Sequence, residues 1–167
     1  PDVNRGMGLF SVKYGSMDDV QVRASTYIVP DILWSSYADV GGMIEVNEDL
    51  RVRLGGQFAV QGSNGMNLLT GQPFSTFWGG FRADAFWGPM AFRLSYTQIG
   101  SAANWRSPYG IFIGYNKMQS LDFNRAGEQA LLLGLSCDFE DIGISGLEMT
   151  ALAAFDLDVA AGLPENN

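Results

Sequence analysis

The chain has 167 residues, 47% of them hydrophobic and only 17% charged, with a net charge of -8. The length suits one ordinary domain, the composition excludes a disordered chain, and the acidic balance excludes nucleic acid as a partner. Histidine is absent and Cys137 is the single cysteine, which excludes Ser-His-Asp and Cys-His catalysis, Cys-rich zinc sites and an internal disulfide.

From the first residues onward the dominant signal is alternation with a period of two. Successive side chains of a strand point to opposite faces, so each such run has one apolar and one polar face. Strands are predicted at 6–14, 19–29, 36–46, 50–61, 75–87, 90–99, 127–139 and 147–160. In the second, Val20, Val22, Ala24 and Ile28 alternate with Gln21, Arg23 and Ser25. In the fourth, Leu50, Val52, Leu54 and Phe58 alternate with Arg51, Arg53 and Gln57, and in the sixth Phe92 and Leu94 alternate with Arg93 and Ser95. The seventh is rich in Ala and Leu from Glu128 to Leu135, which leans towards helix, but Gly134 and the aromatic end at Phe139 favour a strand. The last sets Leu147, Met149, Ala151 and Phe155 against Glu148, Thr150, Asp156 and Asp158.

The connections are expected to alternate as well. Short ones follow the odd strands and longer ones the even strands, reaching a long loop at 100–126. In an antiparallel meander this places the short turns at one rim and the long loops at the other, as in outer-membrane barrels. The fold class is therefore all-β, an antiparallel up-and-down meander of about eight strands. No stretch of about 20 apolar residues is present, so no transmembrane helix is expected. No charged segment followed by an apolar one opens the sequence, so no signal peptide is expected within it. Residues 1–167 are taken as one partial transmembrane β-barrel domain, a fragment without leader or closing strands.

Which face meets which solvent decides the class. A soluble sheet wets its polar face, whereas a porin turns its apolar face to lipid and its polar face to a water-filled lumen. Lys13, Arg23, Arg51, Arg53, Arg82 and Arg93 all project to the polar side, together with Asp39, Glu45, Asp84, Asp138, Glu148, Asp156 and Asp158. Aromatics near strand ends (Phe10, Tyr14, Phe58, Trp87, Tyr96, Phe139) suit the interfacial girdles of a membrane barrel. Two other classes fit the periodicity: a small eight-stranded membrane barrel acting as anchor or adhesin, and a soluble β-sandwich binding module. Pairing of the first and last strands separates the former from a larger barrel. No phosphate-binding glycine motif, calcium loop or nucleophile signature occurs, so no catalytic residue, metal or cofactor is assigned.

One segment is specific. Ser107-Pro108-Tyr109-Gly110, Gly114-Tyr115 and Met118-Gln119 precede Asp122-Phe123-Asn124-Arg125-Ala126-Gly127-Glu128, which runs into Leu133 to Phe139 and then Gly146-Leu147. This resembles the OprD family of substrate-specific outer-membrane porins, and a weaker likeness continues back to about Gly42. Cys137 stands where that family usually has Tyr, and Gln129 where Lys is common.

The resemblance implies a barrel of about eighteen strands, more than twice this chain, in the bacterial outer membrane, monomeric or loosely associated. The sequence itself leaves the oligomeric state open. It further implies a lumenal basic ladder that handles a solute carboxylate, opposite an acidic pocket. The candidates for pore-lining basic residues are Lys13, Arg23, Arg51, Arg53, Arg82 and Arg93. Those for pore-lining acids are Asp39, Glu45 and Asp84, and Asp122, Arg125 and Glu128 are read as anchoring the long loop. The expected partners are outer-membrane lipid and small solutes, carboxylates above all. The expected function is diffusion through a charge-lined channel, and no enzyme activity is assigned.

Overall fold

The computed structural model describes residues 5–109, 114–116, 118, 123–140 and 143–158. Its strands are β1 (Gly8–Gly15), β2 (Val20–Val29), β3 (Leu33–Glu45), β4 (Leu50–Ser63), β5 (Ser75–Trp87), β6 (Met90–Ile99), β7 (Gln129–Asp138) and β8 (Glu148–Asp158). They form one sheet in the order β1-β2-β3-β4-β5-β6-β7-β8, every neighbouring pair antiparallel. The meander is therefore unbroken. Among the described residues β1 and β8 stand at opposite edges, so this is not a closed eight-stranded barrel. Nor does a second sheet cover it, as a sandwich would require. The Ala- and Leu-rich run is strand β7, because pairing with β6 and β8 on both sides outweighs local helix propensity.

The expected alternation of loop lengths needs one correction. β3 starts at Leu33 rather than 36, so the β2–β3 connection is only residues 30–32. Asp31 takes a left-handed φ of 65° at this tight turn, and its carbonyl accepts a hydrogen bond from Leu68 N. The long connections are thus those after β4 and β6. Residues 139–147 make the β7–β8 connection longer than the β2–β3 turn at the opposite rim.

Directly opposite residues in an antiparallel pair share a face, so the register sorts the side chains without ambiguity. One face carries the row Leu54, Ala83, Leu94, Leu133 and Ala153, and beside it Val52, Ala85, Phe92, Leu135 and Ala151. Its large apolar side chains are bare across all eight strands: Phe10, Val22, Val40, Leu54, Phe81, Leu94, Leu133 and Phe155 are each exposed. Leu50 and Val52 on the same face are half-buried. Phe10, Tyr14, Phe58, Trp87 and Tyr96 also lie on this outer face. A soluble monomer rarely leaves more than about 300–600 Å² of contiguous apolar surface open.

The opposite, inner face is not uniformly polar. Near the long-loop rim it carries Val29, Leu33, Ala59, Trp78, Ile99 and Leu132, all buried. They are buried because the two long connections fold over them. Trp105 of the β6–β7 connection meets Trp78 edge-on at 6.1 Å, with Ala59 and Ile99 in the same cluster. Leu69 and Phe74 of the β4–β5 connection pack on Val29 and Leu33.

Candidate functional site

The register gathers the charges into four adjacent inner rows. The first reads Lys13, Arg23, Asp39, Gln57, Gly80 and Thr97 across β1 to β6. The second reads Gly55, Arg82 and Ser95, and the third Met43, Arg53, Asp84 and Arg93. The fourth reads Glu45, Arg51, Phe86 and Ala91. All six basic candidates and the three acidic ones therefore share the inner face.

Their states differ. Arg23 grips Asp39 with Nε donating to both carboxylate oxygens at 3.0 and 2.8 Å, and Tyr37 Oη donates to the same carboxylate at 2.8 Å. Asp84 is 2% exposed and accepts from Arg82 Nε at 2.6 Å and from Arg93 Nε at 2.8 Å. One carboxylate between two guanidiniums leaves that trio net positive. Arg51 and Arg53 have no carboxylate partner among the described residues. Both lie over the Phe86 ring, at 5.9 and 5.2 Å from its centroid, a cation–π arrangement that holds a guanidinium without neutralising it. The Arg53 Nε is buried and makes no hydrogen bond. Glu45 faces Arg51 in register but forms no ion pair with it, and Lys13 is exposed on the edge strand.

The β6–β7 connection is fastened to this wall at several points. Gln61, fully buried on β4, donates through Nε2 to Arg106 O at 2.6 Å and accepts from Arg106 N at 3.0 Å. The side chain thus replaces a neighbouring strand's backbone. Thr76 Oγ1 donates to Ala103 O at 2.7 Å, and buried Asn116 joins Ser95 to the backbone of Ala130. At the far end, Glu128 is 2% exposed and accepts from Arg125 N and Arg125 Nη2, each at 2.8 Å. Arg125 Nη2 also reaches Asp156 of β8 at 2.6 Å. The hydrogen bond to Glu128 raises the Arg125 pKa above its ordinary value, so this anchor stays charged.

Arg125 and Glu128 thus meet each other and the wall, whereas Asp122 lies outside the described residues. Sequence reasoning missed Gln61, Thr76, Ser95 and Asn116. Their only signal was that Gln61, Thr76 and Ser95 fall on the inner side of their strands. Which loop would descend on them has no trace in a period of two.

No protein-family model and no curated protein matches the chain. Solved structures do match. Pseudomonas aeruginosa OpdL has a TM-score of 0.86 at 18% identity, covering 94% of this chain and 44% of that one. OpdK from the same organism, crystallised with vanillate, has a TM-score of 0.79 at 19% identity, covering 89% of this chain and 40% of that one. Pseudomonas aeruginosa OprD has a TM-score of 0.80 at 16% identity, with 89% and 40% covered. The chain spans less than half the length of these porins. What it shares with them is the fold, and its open sheet corresponds to part of their barrel.

Proposed function

We propose that this sheet is part of the wall of an outer-membrane channel of the OprD type, passing small carboxylate-bearing solutes by diffusion. The observation that carries the reading is the division of one continuous sheet into a bare apolar face and an ionised face. Lipid is the solvent that suits the first and a water-filled lumen the second. Charge on a low-dielectric wall focuses the field and selects the ion that enters.

The preference for carboxylates is supported by the unequal pairing of the arginines. Asp39 and Asp84 hold Arg23, Arg82 and Arg93, while Arg51 and Arg53 keep an un-neutralised positive charge beside an aromatic ring. A planar guanidinium binds a carboxylate in a fork, and Phe86 adds a surface for an aromatic solute. Vanillate, seen with the similarly folded OpdK, is an aromatic carboxylate. The test is reconstitution of the complete protein in planar bilayers and liposomes. Discrete conductance steps and faster entry of benzoate than of benzamide are the expected results. Absence of conductance overturns the channel, and equal entry overturns the carboxylate preference.

A further inference from the structure

The β6–β7 connection meets the charged part of the wall through Tyr115. Its ring lies over the Arg82 guanidinium, 5.9 Å from centroid to Cζ. The hydroxyl end fills space that a side chain would otherwise occupy. A methyl group on Gly55 would stand 2.6 Å from Tyr115 Oη and 3.4 Å from its Cζ. One on Gly80 would meet Thr97 Cγ2 at 3.1 Å and the Tyr96 carbonyl oxygen at 3.3 Å, with Tyr115 Cδ2 at ordinary contact distance, 3.4 Å. Neither glycine has a positive φ, so the backbone does not require glycine at either position. A glycine inside a strand costs stability relative to alanine. At Gly55, where Tyr115 is the nearest side chain to an added methyl group, the compensating feature is the seated ring.

We propose that Gly55 forms a seat for Tyr115, with Gly80 in ordinary contact beside the ring, and that the seated ring is a specificity-determining element. It covers Arg82 and leaves Arg51 and Arg53 as the guanidiniums open to a passing anion. The ring also fixes how far the loop stands from the wall, because the seat stops it at van der Waals contact. This inference rests on the channel reading above.

The complete channel in planar bilayers under a salt gradient tests it, with the zero-current potential as the readout. Tyr115→Ala uncovers Arg82, so the potential shifts towards stronger anion preference. Gly55→Ala unseats the same ring, so it shifts in the same direction. The Gly55→Ala/Tyr115→Ala double variant matches Tyr115→Ala alone, and adding Arg82→Ala to Tyr115→Ala abolishes the shift. An unchanged potential in Tyr115→Ala overturns the proposal even if the Gly55 variant fails to assemble. So does a Gly55→Ala shift that persists undiminished without Tyr115, or a Tyr115→Ala shift that survives loss of Arg82. A wild-type protein that conducts nothing overturns the channel reading itself, which the other outcomes leave standing.

Discussion

Arginines of the same inner face are not equivalent once their partners are known. Arg82 is bonded to Asp84 and lies under the Tyr115 ring, while Arg53, among the described residues, has the Phe86 ring and a buried, unbonded Nε. Arg53→Ala is therefore expected to slow a carboxylate solute much more than a neutral one of equal size, and Arg82→Ala to slow it less. Paired flux measurements in liposomes check this. Equal losses for both solutes in Arg53→Ala would mean that it only shapes the wall. The sequence made the shared side of these residues legible, since Arg51, Arg53, Arg82 and Arg93 each fall on the polar beat of a strand. Arg82 and Asp84 lie two apart on one strand, but the sequence could not show that Asp84 would also serve Arg93. That depends on cross-strand register, and a one-residue slip reverses it.

For the elements, strand identity was the most legible property and loop destination the least. β5 and β6 occupy 75–87 and 90–99, as their alternation predicts, because the two-residue Gly88-Pro89 turn between them admits one register. The long connection after β6 has no periodicity to read, yet it decides which inner residues are buried. Its hold on the wall through Gln61 is open to a direct test. Gln61→Ala leaves the Arg106 N–H and C=O without partners, a cost of about 1–3 kcal/mol against the docked loop. Cleavage by trypsin after Arg106 should then accelerate roughly 5- to 150-fold, if cleavage follows the population of the undocked form. Glu128→Gln removes the charge facing Arg125 at the other end, and increased gating noise in single-channel records is the expected sign. Quiet channels with wild-type proteolysis in both variants would show that the loop is held elsewhere.

At the scale of the molecule, the exposed outer band sets how the protein must be handled and how it responds to charge. Leu94 sits in that band between Ala83 and Leu133, 44% exposed. A lysine there would be nearly neutral in water, within about 0.5 kcal/mol. At a bilayer midplane it costs about 2–4 kcal/mol. Denaturant titration of Leu94→Lys folded into lipid vesicles distinguishes the two, and an unchanged midpoint would place that face in water.

All seven pairings join sequence neighbours, but six of them need only a short or modest connection, and the β6–β7 pairing must close a loop over residues 100–128. Loop-closure entropy grows by about 0.6 kcal/mol per doubling of length, so this junction begins roughly 2–3 kcal/mol behind a two-residue turn. The assembling sheet therefore has a kinetic seam. Strands β1 to β6 can zip as successive hairpins and β7–β8 as another, and the two blocks then wait for each other. Asn116 bridges Ser95 of β6 and the Ala130 carbonyl of β7, so its contacts form only once that seam has closed. On the channel reading proposed above, the docking of this connection on the wall is then among the last events of folding, and the wall forms before the lining that would make it selective.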